Sequence, residues 1–176
     1  MERPPRSEPA VEVSAATRPA DWQAARLLVL DLAAWIREHA GVDMRSEQTG
    51  FADEVADLAA VYSAPRGHLL LARIDGVPVG SVALRRHDDG SGELKRMYVR
   101  PGARGFALGD RLVRAVLDLA RRDGLRAVWL ETGAGIMDPA IAIYRRHGFE
   151  RRPTTDATLE HPALITMERS LLSPCA

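Results

Sequence analysis

The sequence predicts an α/β (α+β) fold: a single mixed, mostly antiparallel sheet with helices on both faces. Three observations predict it. A long segment of helical period is followed by three strand-like runs joined by tight turns. A second helical segment then alternates with short apolar strands. With 176 residues, 46% hydrophobic and 27% charged, the chain has the size and composition of one globular domain.

The elements follow in order. Met1 to Pro9 is proline-rich and charged and reads as a disordered lead-in to a domain over residues 10–172. Val11 to Ala15 alternates as a first strand. Thr17 is the expected cap of the next helix, whose first turn holds Pro19 and Asp21. Trp22, Ala25, Val29, Leu32 and Ile36 give that helix one apolar face, ending near Gly41. A shorter helix is expected over Phe51 to Tyr62, stopped by Pro65 and Gly67.

His68 to Ile74 and Val77 to Leu84 form a hairpin around Asp75-Gly76. The polar tip His87 to Gly92 leads into a third strand, Glu93 to Arg100. Leu108, Leu112, Ala115, Val116 and Leu119 mark an amphipathic helix with Gly124 beyond its end. Then come a strand at Ala127 to Leu130, a helix at Pro139 to Arg146 stopped by Gly148, and closing strands at Phe149 to Arg152 and Ala163 to Glu168.

Composition excludes several function classes. Lys+Arg and Asp+Glu both number 24, so the chain lacks the basic field of a nucleic-acid or anionic-membrane protein. No apolar run is long enough to span a bilayer. The opening MERPPRSEP has no hydrophobic signal core, so a cytoplasmic protein is the expectation. Cys175 is the sole cysteine, and the five histidines show no metal-ligand spacing, so no metal is expected. Trp22 and Trp35 read as helix-face packing, and Tyr62 either as an exposed loop-edge residue or as a cleft residue.

The informative stretch is LKRMYVRPGARGFALGDRL, from Leu94 to Leu112. A strand runs into a glycine-containing turn that opens directly into a helix. Free N–H groups at a helix start, with the positive end of its dipole, make an anion site. Gly105 allows close approach to the backbone, and Arg104 adds a positive charge. No Lys-Ser/Thr follows Gly109, which removes the P-loop pattern. Gly133-Ala134-Gly135 has Asp138 where a dinucleotide loop needs its third glycine.

RGFALG resembles the signature of the GNAT acetyltransferase family, Arg/Gln-x-x-Gly-x-Gly/Ala, preceded by YVRP and followed by AIYRRHGF, which resembles the family's Leu-Tyr-x-x-x-Gly-Phe helix end. The resemblance is clear from Leu69 to Phe149. It implies a CoA pyrophosphate cradle of Arg104, Gly105, Phe106, Ala107, Leu108, Gly109 and Asp110. It further implies that the main chain of Met97, Tyr98 and Val99 pairs with the pantetheine arm, with a β-bulge offering an N–H to the thioester. Ala107 replaces the usual middle glycine, acceptable if its backbone avoids positive φ. Met137 replaces a common cofactor-touching Asn.

By the same resemblance, acetyl-CoA is the acyl donor and a primary amine of a small molecule or amino acid attacks it directly. Homodimers are common in the family. Tyr144 aligns with the family's acid tyrosine. Glu93 lies eleven residues before Arg104, the spacing of the glutamate base in histone-acetylating members. Two other readings of the residues stay open here: for Glu93, an exposed edge carboxylate paired with Lys95; for Tyr144, a core residue with its hydroxyl at the surface. Glu131 ends its strand either in the acceptor pocket or on the surface. A silent CoA-binding module and a protein or peptide acetyltransferase are the alternatives to the small-molecule enzyme.

Overall fold

The computed structural model describes residues 8–153 and 164–172. All of the expected lead-in but Glu8 and Pro9, most of the Pro153 to Pro162 loop, His161 and Cys175 lie outside them. In chain order the elements are β1 (Val11–Ala15), α1 (Pro19–Ala40), α2 (Met44–Glu47), α3 (Phe51–Ala56), α4 (Leu58–Tyr62), β2 (Gly67–Ile74), β3 (Val77–Arg86) and β4 (Ser91–Val99). A 3-10 turn, Pro101–Ala103, precedes α5 (Leu108–Arg122), β5 (Ala127–Gly133), α6 (Asp138–Arg146), β6 (Glu150–Arg152) and β7 (Leu164–Ser170).

One mixed sheet has the order β1-β2-β3-β4-β5-β7-β6. Every pairing is antiparallel except that of β4 with β5, which is parallel. Helices cover both faces, as the apolar patterns require. On one side Leu112, Val113, Val116 and Ala120 of α5 are buried against Leu70, Val82, Leu84, Val128 and Leu130. On the other, α1, α3 and α4 bury Leu28, Val29, Phe51, Val55 and Leu58 against Leu69, Leu71 and Ala83.

The structure corrects three local expectations. Thr17 does not cap α1; Arg18 is the cap residue. The Asp21 carboxylate instead accepts from the N–H groups of Thr17 (3.2 Å) and Arg18 (3.0 Å), so the threonine hydroxyl is not needed. The single helix expected over Phe51 to Tyr62 is two, broken at Asp57, whose backbone leaves helical geometry (φ −142°). The Asp57 carboxylate accepts from Ala60 N–H (2.9 Å), starting the second helix afresh. Asp43 caps the unexpected turn α2 in the same manner.

Asp21 also receives Arg73 Nη2 of β2 at 2.7 Å, and Arg73 Nη1 donates to Ser14 Oγ of β1 at 2.7 Å. The entry of α1 is thus pinned to the first two strands. Hydrogen bonds from the Arg18 side chain, then its backbone, hold Asp21 well below the usual carboxylate range against the opposing effect of burial. A carboxyl with a depressed folded pKa adds stability at pH values above its unfolded value near 4, and loses it as pH falls through the folded value. Wild-type protein should therefore lose more stability than Asp21→Asn between pH 6 and pH 2 in urea titrations. Parallel curves would contradict the pin.

Candidate functional site

The site begins where β4 leaves β5. The two strands pair only at Ser91–Glu93 with Ala127–Trp129. Three residues later β4 carries a bulge: Ser81 opposes Tyr98 and Ala83 opposes Lys95, so Val82 faces both Arg96 and Met97. Arg96 takes up the extra residue with φ 55°. Beyond it, Met97 to Val99 pair with β3 on one edge and, among the described residues, with no strand on the other.

Arg96 is buried at the bulge. Its Nε and Nη2 reach both Glu54 oxygens (2.6 and 2.7 Å), its Nη1 reaches Gln48 Oε1 (2.9 Å), and its guanidinium lies 4.9 Å from the Phe51 ring centre. Tyr62 O–H donates to Glu54 Oε1 at 2.8 Å. Burial would raise the Glu54 carboxyl, but the Arg96 hydrogen bonds and charge bring it below its ordinary value. Burial, then the Glu54 charge, pushes the Tyr62 phenol up. Sequence reasoning missed this cluster: its members are 42 or more residues apart along the chain for Arg96 with Glu54 and Gln48, and no local period links them. Tyr62 is not exposed; it is a buried anchor of the ion pair.

From β4 the chain passes Arg100, whose Nε bonds Asp31 of α1 at 2.9 Å, and the 3-10 turn. Gly105 then adopts φ +99° and Ala107 φ +54°, ψ 26°. The expectation that Ala107 avoids positive φ is overturned: it occupies the left-handed region, at about 1–2 kcal/mol for a residue with a Cβ. The reason is visible in the donors. Among the described residues, none of the N–H groups from Gly105 to Asp110 has a protein partner, and the first bond into α5 is Arg111 N–H to Ala107 C=O (3.0 Å). Left-handed residues ahead of a helix turn successive N–H groups to one side, forming an anion-binding concavity. Gly109 serves packing: a Cβ there would come within 2.5 Å of Ile143 Cδ1.

These donors open on a cleft of about 480 Å³. Arg104, Gly105, Ala107, Leu108, Gly109 and Asp110 form one wall, and Met97, Tyr98 and Val99 another. Ile136, Met137, Pro139, Ala140 and Ile143 close it from α6 and its approach, and Leu32 and Trp35 from α1. Trp35, expected as plain packing, thus borders the cleft, stacked on His39 with ring centres 4.3 Å apart. Met137 lines the cleft where the Asn was expected. Phe106 is 39% exposed and does not line it. Asp110 accepts from Arg146 Nη2 (2.8 Å) and His147 Nε2 (3.1 Å), tying the start of α5 to the end of α6. The Arg146 guanidinium is the main cause that holds the Asp110 carboxyl below its ordinary range.

Glu93 and Tyr144 lie outside the cleft lining. Glu93 is not an exposed edge carboxylate. It is 6% exposed, with Lys95 Nζ 2.6 Å from Oε1 and His87 Nε2 3.3 Å from Oε2. Tyr144 sits one turn after the cleft residue Ala140, packed on Phe149 with ring centres 5.8 Å apart. Burial pushes its phenol well up, so it stays protonated. Glu131 is exposed on β5.

Residues 24–149 match the model of the Acetyltransferase (GNAT) family. The chain belongs to that family. It is 40% identical over 108 residues to the IAA acetyltransferase of Azospirillum brasilense, covering 61% of this chain and 70% of that one. It is 30% identical over 154 residues to the uncharacterized N-acetyltransferase C1271.07c of Schizosaccharomyces pombe, covering 86% and 88%. The PaiA N-acetyltransferase of Thermoplasma acidophilum, solved in complex with coenzyme A, shares the fold with a TM-score of 0.69 at 16% identity, over 92% and 99% of the two chains. The chain is therefore an N-acetyltransferase by family, with a GNAT fold and a loop before α5 built around a strained alanine.

Ala107→Gly should relieve that strain and raise stability by about 0.5–1 kcal/mol, the left-handed strain exceeding glycine's entropy cost. For a chain of this size that is roughly 1–4 °C in Tm by calorimetry. A fall of similar size would contradict the conformation assigned to Ala107.

Proposed function

We propose that the protein transfers an acetyl group from acetyl-CoA to a primary amine of a small molecule or amino acid, by direct attack within a ternary complex. The carrying observation is the row of N–H groups from Gly105 to Asp110 that have no partner among the described residues, with Arg104 beside it, opening on a cleft that runs to the edge of β4 left unpaired by them. A pyrophosphate fits such a row of donors, and an extended amide-bearing arm fits the free edge of Met97 to Val99. The apolar wall of Leu32, Trp35, Met97, Met137 and Ile143 shields the thioester from water.

The acceptor imposes the main chemical cost. An alkylammonium with pKa near 10.4 needs about 4.6 kcal/mol to lose its proton at pH 7. Glu93 is the proposed base, directly or through water, at the point where β4 and β5 part. On attack the nitrogen bonds to the carbonyl carbon, the C–S bond breaks, and the electron pair leaves on sulfur. Tyr144 is the proposed partner of that sulfur. Because burial holds its proton tightly, its role is to donate a hydrogen bond to the departing thiolate rather than to surrender the proton outright.

The test is thiol release and product mass with acetyl-CoA against a panel of amines, amino acids and peptides. Tyr144→Phe should lower kcat about a hundredfold with unchanged acetyl-CoA affinity. Glu93→Gln should lose a similar factor at pH 7 and recover as rising pH deprotonates the amine. Acetylation of peptides alone would overturn the small-molecule reading, and a flat pH response in Glu93→Gln would remove it as the base.

A further inference from the structure

Acetyl transfer from a thioester to an alkylammonium yields an amide, a thiol and one proton. If Glu93 takes that proton, it must discharge it before the next cycle. Its own carboxyl is 6% exposed, so bulk water does not reach it freely. Of its two side-chain partners among the described residues, Lys95 holds Oε1 at 2.6 Å, and an ammonium has donors only. The other partner is His87, with Nε2 at 3.3 Å from Oε2. An imidazole takes up and releases protons near neutrality.

His87 is also placed to reach solvent. It lies on the β3–β4 turn, its side chain 34% exposed against 8% for that of Glu93. The ring rests on Trp129, with centres 5.5 Å apart, and Trp129 Nε1 donates to Ser91 Oγ at 3.3 Å. The turn is closed by His87 N–H to Ser91 C=O at 3.0 Å, so backbone and ring are both fixed. Other charged groups around this face are Arg85, opposite Glu93 on β3; Asp88 and Asp89 on the turn; Arg126, paired with Asp89; Glu131 further along β5; Glu168 of β7, opposite Trp129 and paired with Arg152 of β6; Glu150, opposite Glu168; and the Glu54–Arg96 pair beside Lys95.

We propose that His87 is the outlet for the reaction proton: it receives it from Glu93 and releases it to solvent. This rests on the reading of Glu93 as the base. The Glu93 carboxylate takes H⁺ from the acceptor nitrogen and becomes a carboxylic acid. That acid passes H⁺ to His87 Nε2, giving carboxylate and imidazolium, and the imidazolium loses one proton to water. No other reactant is needed. His87 touches no reacting atom and is a positioning residue, setting where the proton goes.

His87→Gln keeps a hydrogen-bonding group toward Glu93 but cannot carry a proton, and His87→Ala leaves space for a free imidazole. With acetyl-CoA and the best acceptor of the amine panel, both variants should lose about tenfold or more in kcat at pH 6–7, less at pH 9, with the KM for acetyl-CoA unchanged. Added imidazole should restore part of the rate in His87→Ala and none in Glu93→Gln. Wild-type kcat in His87→Gln across that range, while Glu93→Gln is slow, would overturn the outlet alone. A loss in His87→Ala that imidazole does not repair would also overturn it. A full rate in Glu93→Gln, or no product with any amine, would overturn the base and the outlet together.

Discussion

The ion pair between Arg96 and Glu54 is the interaction on which the rest of the site depends. It holds the guanidinium at the one point where β4 takes an extra residue, and it draws α3 onto the sheet through Glu54 and Phe51 and the end of α2 through Gln48. Removing either partner would leave a buried charge alone, a cost of about 3–5 kcal/mol. With the bulge fixed, the end of β4 runs, among the described residues, along β3 only, and its other edge faces the cleft. The position of Arg104 to Asp110 follows, since Arg100 anchors the chain to α1 just after the strand ends.

The same strand separates two kinds of chemistry. Beyond the bulge, Met97 to Val99 border a mostly apolar cleft whose polar groups are backbone donors together with Arg104 and Asp110. Before it, Glu93 and Lys95 pair with each other, and His87 joins them from the turn. Glu54 with Arg96, and Glu93 with Lys95, are each neutral as pairs, so several charges are tolerated under cover without a net field. The tie of Asp110 to Arg146 and His147 does the same at the start of α5, where a lone carboxylate would compete with a bound anion.

Most of the fold was legible because its signals are local. The Asp75-Gly76 hairpin, the helical period of α1 and α5, and the glycine stops after α5 and α6 each depend on neighbours within a turn or two. The cleft was legible through one contiguous motif, and all of its expected lining except Phe106 is there. What escaped was set by distance or by backbone detail. The break at Asp57 results from a cap competing with helix continuation, which composition does not rank. The left-handed Ala107 runs against the intrinsic preference of alanine. Trp35 reaches the cleft from α1, and His87 meets Glu93 across a turn, so a helix wheel or a metal-spacing rule found neither role.

The central claim is that the N–H row from Gly105 to Asp110 is a pyrophosphate cradle. The most direct measurement is titration calorimetry of the protein with acetyl-CoA and, separately, with S-acetylpantetheine, which carries the thioester and arm without the pyrophosphate. The cradle predicts that acetyl-CoA binds at least about a hundredfold more tightly, as charge-assisted hydrogen bonds to several donors require. Equal affinity for the two, or no binding of acetyl-CoA, would contradict it.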